Sequence, residues 1–175
     1  ARMQSASAVG YPGFDGTLEV SHVGLTYPEA SRPALEHVSL SATSGSSIAL
    51  VGPCGAGKST LADIILGVIT PSEGNITLGG ITPVEAVTRW PGAMGYVPQS
   101  VSIVNGTIRD NVAMGLPDEL IDDSRVMEAL GRAHLADFVS DMPAGLDSVV
   151  GERGVKLSGG QRQRLGIARA LYTRP

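Results

Sequence analysis

Several features that mark specialised classes of protein are missing from this sequence. A single cysteine among 175 residues excludes an internal disulfide framework and a zinc site built from cysteines. No apolar run approaches the roughly 18 residues that a membrane-spanning helix needs, and residues 1–5 lack the apolar core of a signal peptide. With 42% hydrophobic residues, the composition is that of a globular chain long enough for one well-packed domain.

Positive charge is also scarce. The chain has 13 Lys and Arg residues against 17 Asp and Glu residues, a net charge of −4, and no block of basic residues. A nucleic-acid surface needs clustered positive charge, so the sequence predicts no nucleic-acid partner. With only one cysteine, a cytosolic setting is the simplest interpretation.

A glycine-rich loop is the most informative stretch that is present. It follows residues 48–51, an apolar run that predicts a strand buried on both faces, and it precedes apolar residues at helical spacing. A strand, a loop and a helix in this order place backbone N–H groups and a helix N-terminus around one point, which attracts phosphate. The loop matches G-x-x-x-x-G-K-[ST] and consists of Gly52, Pro53, Cys54, Gly55, Ala56, Gly57, Lys58, Ser59 and Thr60. In this pattern Lys58 reaches the β- and γ-phosphates, and the Ser59 hydroxyl binds Mg²⁺.

The remaining periodicity gives a coarse secondary structure. Residues 1–16 are small, polar and glycine-rich, which predicts a linker or a frayed end. Short loops between residues 17–20, 25–27 and 34–40 predict antiparallel strands, and residues 76–78 and 94–97 predict two more strands. Helices are predicted at residues 83–90, within 108–141 and at 161–172.

Four further stretches occur in a specific order around the loop. Tyr27 precedes the loop in a Tyr-Pro pair, and Gln99 follows an apolar segment. Residues 150–154 read Val-Gly-Glu-Arg-Gly, and residues 157–161 read Leu-Ser-Gly-Gly-Gln. From about residue 17 onwards, the chain resembles the nucleotide-binding domain of an ATP-binding cassette (ABC) transporter. The loop alone indicates only the P-loop class, whereas Leu-Ser-Gly-Gly-Gln at this distance is much more specific.

The resemblance implies a fold and a domain organisation. It implies an α/β fold: a P-loop NTPase (RecA-like) core with an antiparallel β subdomain and a helical signature subdomain at about residues 108–160. Residues 17–175 would then be the ATPase domain, incomplete at its C-terminal end, and residues 1–16 the linker. In the family, a strand beyond this point carries the Mg²⁺-linked aspartate and the catalytic glutamate. We therefore expect the polypeptide to continue, and residues 1–175 alone to bind nucleotide without hydrolysing it.

The resemblance also implies a role for each matching residue. Tyr27 would stack on adenine, Gln99 would contact Mg²⁺ or the attacking water, and Ser158 would bind the γ-phosphate held by a second subunit. Taken alone, these residues would be a half-buried strand tyrosine, an ordinary surface glutamine and a helix cap. The catalytic set is Lys58, Gln99 and Ser158, and the metal set is Ser59 and Gln99. The ATP-binding set comprises Tyr27, the glycine loop, Ser158, Gly159, Gly160 and Gln161.

These roles imply partners. Two half-sites that cannot meet on one chain imply a head-to-tail dimer, either homodimeric or heterodimeric, joined by ATP. Residues 105–112 and 150–154 resemble segments of exporters, in which the ATPase domain follows a transmembrane domain on one polypeptide and lies at the cytoplasmic face of the membrane. The implied function is the ATP-hydrolysing motor of an exporter. The alternatives are a non-transport ATPase of the same class, in DNA repair or on the ribosome, and a P-loop kinase or binding module.

Two positions depart from the family pattern. Residues 101–104 lack the aromatic residue expected soon after Gln99, and Cys54 stands where serine is common. Cys54 lies close to Lys58 and a helix N-terminus, where a thiol can be reactive. The other interpretation, a small residue in place of serine, remains open. The three histidines, His22, His37 and His134, fall in none of the matching motifs.

Overall fold

A computed structural model describes residues 11–151 and 154–175 and separates the chain into two units, Ala1–Met94 and Gly95–Pro175. The elements of the first unit are β1 (Leu18–Leu25), β2 (Leu35–Ala42), α1 (Lys58–Ile65), β3 (Glu73–Leu78) and α2 (Pro83–Arg89). Those of the second are α3 (Ile108–Val112), α4 (Asp123–Arg132), α5 (Ala136–Ser140) and α6 (Gly159–Tyr172), with 3₁₀ turns at Asp118–Leu120 and Gly145–Asp147. Among the described residues, no helix is both long and apolar enough to cross a bilayer.

The strands of the first unit form one antiparallel sheet in the order β2-β1-β3, which confirms the predicted antiparallel arrangement. The strands predicted at residues 17–20 and 25–27 are one strand, β1, which ends at Leu25. Leu25 pairs with Leu35 at one end of the β1–β2 ladder, and Leu18 pairs with Ala42 at the other. The apolar residues that alternate along β1 face α1, where they form a core. Its buried members are Val20, Val23, Leu25, Leu35, Leu61, Ile64 and Ile76.

A bulge interrupts the pairing of β1 with β3. The register shifts between Ser21 and Gly24, and His22 has a left-handed backbone with φ of 50°. Gly74 on β3 crosses this point with φ of 79°, and a Cβ there would lie 2.3 Å from the carbonyl oxygen of His22. Glycine is therefore required at position 74 both by its conformation and by the close approach of the two strands.

Two predicted strands are wrong. Residues 48–51 and 94–97 form no strand. In the first segment Ile48 is 48% exposed, Leu50 42% and Val51 94%, so the expected burial on both faces is absent as well. A strand exists only where a neighbour accepts and donates its backbone hydrogen bonds, and the sheet formed by the described residues contains only β1, β2 and β3. An apolar composition does not by itself ensure that such a neighbouring strand is present.

A second cluster in the same unit surrounds Trp90, which is 5% exposed. The indole Nε1 donates a hydrogen bond to the carbonyl oxygen of Pro12 at 2.8 Å. The ring of Phe14 lies 5.2 Å from that of Trp90, centroid to centroid. Residues 11–16, the described part of the predicted linker, are thus packed against the end of α2, while residues 1–10 lie outside the described residues.

The second unit is helical, as residues 108–141 and 161–172 predicted. Its core combines α4 and α6 with α3 and α5, and its fully buried side chains include Ile108, Val126, Leu130, Leu135 and Leu165. Arg109 on α3 binds Asp123 at the start of α4 through two hydrogen bonds and also binds Asp147. The bonds from Arg109 hold the pKa of Asp123 below its usual value.

The bulge at Gly74 provides a matched test of steric strain. Gly74 and Gly80 have nearly the same φ, 79° and 81°, but nothing lies within 4 Å of a Cβ on Gly80. Gly80→Ala should therefore lower the free energy of unfolding by only about 1–2 kcal/mol, which is the cost of a left-handed backbone at a residue with a Cβ. Gly74→Ala should lower the free energy of unfolding by about 1–3 kcal/mol more than Gly80→Ala does, because its Cβ collides with the backbone of His22. Urea unfolding of both variants measures the difference, and equal losses would show that the bulge relaxes without cost.

Candidate functional site

The glycine loop is fixed by a close backbone contact. Gly57 is the N-cap residue of α1 and has φ of 79°. A Cβ on Gly57 would lie 2.4 Å from the carbonyl oxygen of Ala34 and 2.6 Å from Cδ2 of Leu35. Only glycine allows this approach, so the sequence of the loop and the start of β2 together determine where α1 begins.

A cavity of about 290 Å³ opens between the loop and the β1–β2 hairpin. Its lining consists of Tyr27, Ala34, Gly55, Ala56, Gly57, Lys58, Ser59 and Thr60. The hydroxyl of Tyr27 donates a hydrogen bond to Oγ1 of Thr60 at 3.2 Å, and the Tyr27 side of the cavity remains accessible because this residue is 40% exposed. The structure therefore brings the aromatic residue and the phosphate loop together within one unit.

The N-terminus of α1 is equipped for an anion. No side chain caps Gly57, and the first turn holds no acidic residue. The first-turn N–H groups, which have no partner within a helix, are thus available to an anion at the positive end of the helix dipole. Lys58 adds a charge: its Nζ donates to the carbonyl oxygens of Gly52 at 2.9 Å and Pro53 at 2.7 Å.

The predicted residues of the second unit are positioned by helix α6. Ser158 is its N-cap and forms a capping box with Gln161. The Ser158 hydroxyl accepts from the backbone N–H of Gln161 at 3.2 Å, and Oε1 of Gln161 accepts from the backbone N–H of Ser158 at 2.7 Å. A serine hydroxyl that accepts one bond still has its own proton to donate. Gly159 and Gly160 form the first turn of α6, and Gln99 lies exposed in a bend of the same unit.

Sequence reasoning missed Ala34. It lines the cavity, its carbonyl oxygen contacts Gly57, and its backbone N–H donates to Leu25 at 2.7 Å. The available signal was the hairpin itself, since antiparallel pairing of Leu25 with Leu35 places both ends of the connecting loop side by side. Of the exporter-like residues 150–154, Glu152 and Arg153 lie outside the described residues.

Comparison with known proteins identifies the family. The family model described as "ABC transporter" matches residues 35–175, which include the glycine loop, Gln99 and the Leu-Ser-Gly-Gly-Gln segment. The chain belongs to the ABC transporter family. This membership confirms the resemblance and the P-loop NTPase fold class, and it implies that the chain binds ATP.

Curated relatives within the ABC family are much longer than this chain. An ATP-dependent lipid A-core flippase of Cupriavidus metallidurans is 46% identical over 160 residues, which is 90% of this chain and 27% of the relative. A multidrug resistance ABC transporter ATP-binding and permease protein of Lactococcus lactis subsp. cremoris is 42% identical over 91% of this chain and 27% of its own length. The chain thus spans about a quarter of these relatives.

A solved structure supports the same fold. The structure of a bacterial Atm1-family ABC exporter with ATP bound superimposes with a TM-score of 0.79 and 36% sequence identity. It covers 100% of this chain, while the chain covers 30% of that protein.

Cys54 allows occupancy of the loop to be measured chemically. Cys54 is exposed, and it is the sole cysteine of the chain, so a maleimide adds a single mass increment. We expect Mg-ATP to slow this labelling, because bound phosphates fill the loop that surrounds the thiol. Mass spectrometry over time, with and without nucleotide, measures the effect. The Lys58→Ala variant serves as control and should be protected less at the same nucleotide concentration. Equal labelling rates in the parent protein would exclude occupation of the loop next to Cys54.

Proposed function

We propose that this chain is the ATP-binding and ATP-hydrolysing motor domain of an ABC exporter. The observation that carries the proposal is the cavity lined by both Tyr27 and the phosphate loop. An aromatic ring and an anion site in one cavity suit a nucleotide rather than free phosphate. Family membership supplies the nucleotide class, and the relatives named as flippase and multidrug transporter support the exporter type.

At the first half-site the chain supplies charge and hydrogen-bond donors. Lys58 turns from the carbonyl oxygens of Gly52 and Pro53 to the β- and γ-phosphates, while the loop and the first turn of α1 donate backbone N–H groups. Tyr27 stacks on the adenine ring. The remaining loop residues, Gly52, Pro53, Cys54, Gly55, Ala56, Gly57, Ser59 and Thr60, shape the cradle.

The residues present fit a magnesium ion. Ser59 is exposed on the cavity wall directly after Lys58, and its hydroxyl is the kind of oxygen ligand that Mg²⁺ accepts beside phosphate. Gln99 offers a carbonyl oxygen as a second ligand, or as a group that orients the attacking water. When bound, Mg²⁺ neutralises charge on the β- and γ-phosphates.

A second half-site lies at the start of α6. The hydroxyl proton of Ser158, the backbone of Gly159 and Gly160, and the Gln161 amide form a donor-rich helix N-terminus, suited to the γ-phosphate of a nucleotide held by another ATPase domain. The proposed partner is therefore a second nucleotide-binding domain, in a head-to-tail homodimer or heterodimer with ATP between the two.

The membrane partner follows from the relatives. One of them is named as an ATP-binding and permease protein, and each is more than three times as long as the matched part of this chain. We propose that residues 17–175 belong to the ATPase domain of such a polypeptide, with a transmembrane domain on the same chain and the ATPase domain at the cytoplasmic face.

Loss of Lys58 tests the phosphate site. Lys58→Ala should weaken Mg-ATP binding by about tenfold or more, because hydrogen bonds from a charged group contribute about 1.5–3 kcal/mol. Isothermal titration calorimetry measures the affinity. The matched control is Lys156→Ala, which removes the other lysine of the chain from an exposed position outside the loop and should bind as the parent does. Equal weakening by both variants would point to a general charge effect and contradict the assignment.

Substitutions at Tyr27 separate stacking from hydrogen bonding. Tyr27→Ala should weaken ATP binding by about 1–3 kcal/mol through lost stacking. Tyr27→Phe keeps the ring and loses only the bond to Thr60, so its affinity should stay close to that of the parent, as should that of Tyr27→Trp. If the alanine variant binds ATP as well as the parent in the same titration, Tyr27 has no stacking role.

A further inference from the structure

A buried asparagine organises the segment that follows Gln99. Asn111 on α3 is completely buried. Its Oδ1 accepts from the backbone N–H of Val104 at 2.9 Å, and its Nδ2 donates to the carbonyl oxygens of Val104 at 3.0 Å and Thr107 at 2.9 Å. The Asn111 amide thus bonds both the N–H and the carbonyl oxygen of Val104. These bonds fix the backbone at Val104, since leaving a buried polar group unpaired would lower stability.

An arginine on α6 extends this network to a different helix. Nε of Arg169 donates to the carbonyl oxygen of Asn111 at 2.8 Å, and Nη1 donates to that of Ser102 at 3.0 Å. Nη2 donates to Oδ1 of Asn111 at 3.3 Å. Burial lowers the pKa of Arg169, and no carboxylate shares these three bonds, so carbonyl and amide oxygens provide the compensation for its desolvated charge. We call Arg169, Asn111, Ser102 and Val104 the arginine clamp.

Close packing reinforces the clamp on both sides of Gln99. One turn before Arg169, a Cβ on Gly166 would lie 2.4 Å from Cγ2 of Val101, so glycine lets the segment lie directly on α6. Before Gln99, a Cβ on Gly95 would lie 3.0 Å from the carbonyl oxygen of Ala170, also on α6. The chain therefore touches the same helix both before and after Gln99.

We propose that Arg169 is a positioning residue, which fixes the segment carrying Gln99 to the helix that begins at Ser158 so that the two move as one rigid body. The roles of Gln99 and Ser158 rest on the function proposed above, whereas the rigid connection rests on the contacts alone.

The rigid connection between the segment after Gln99 and helix α6 can be tested without measuring ATP turnover. Spin labels on Ser100→Cys and Gln163→Cys, both exposed positions, in a Cys54→Ser background report the distance between the segment and α6 by pulsed electron resonance. We expect one narrow distance distribution. Arg169→Lys should broaden it, because lysine keeps the charge but cannot reach Ser102 and Asn111 with a planar fork.

Two further variants separate the clamp from general stability. Gly166→Ala raises the helix propensity of α6 but pushes Val101 away, so it should broaden the distribution although the helix itself is favoured. Arg174→Lys alters an exposed ion pair with Glu128 near the same end of the chain and should leave the distribution narrow. An unchanged narrow distribution in both Arg169→Lys and Gly166→Ala would overturn the proposal, as would equal broadening in Arg174→Lys.

A kinetic measurement in the full-length protein links the clamp to function. Arg169→Lys should lower ATP turnover by about tenfold or more, since a misplacement of about 1 Å can slow a reaction by about 100-fold. Mg-ATP affinity at the Lys58 loop should stay within about twofold, a split that a merely destabilised protein would not show. Parent turnover in Arg169→Lys would overturn the positioning role. If the full-length parent polypeptide hydrolyses no ATP, the proposed function fails, while the spin-label distances still decide the clamp.

Discussion

The direct contact between Gly57 and the start of β2 sets the geometry of the candidate nucleotide site. Because no side chain separates Gly57 from Ala34 and Leu35, the first turn of α1 lies against the β1–β2 hairpin. Tyr27 lies in the loop of this hairpin, two residues after the end of β1, and its hydroxyl bonds to Thr60 on α1. The contact at Gly57 and the bond from Tyr27 to Thr60 together hold the hairpin against the glycine loop.

Side chains cap the N-termini of four helices, whereas α1 and α5 begin without a side-chain cap. Helices α2, α3 and α6 each begin with a capping box, formed by Thr82, Thr107 and Ser158 with the residue three positions later. Helix α1 begins at a glycine that offers no side chain. A capping side chain satisfies donors that an anion could otherwise bind, and at α1 no side chain takes up these donors. At α6 the Ser158 hydroxyl accepts a bond within the helix and keeps its own proton for a further bond.

The sequence predicted those elements whose backbone geometry follows from a short local pattern. The glycine loop, the antiparallel strands, helix α2 and the signature helix α6 follow from local periodicity, glycine and capping residues. The two failed strands, at residues 48–51 and 94–97, show the limit of that reasoning. Both segments are apolar, but a strand forms only when it hydrogen-bonds to a neighbouring strand, and the apolar run does not predict which segment that neighbour is.

The contacts that most define each unit join residues far apart in the chain. Trp90 binds Pro12 across 78 positions, and Arg169 binds Asn111 across 58. Neither pair has a sequence signature, since an indole or a guanidinium bonded to a backbone carbonyl constrains no residue type at the acceptor. Ala34 was missed for the same reason, because its carbonyl oxygen and small side chain, rather than any reactive group, place it in the cavity.

The packing of Trp90 gives the protein an internal optical probe. It is the only tryptophan in the chain, and its indole is shielded by Phe14 and hydrogen-bonded to Pro12. Indole emission shifts to longer wavelength when the ring becomes exposed to water. The intrinsic fluorescence of the unmodified protein therefore reports whether residues 11–16 remain on the domain surface, independently of any added label.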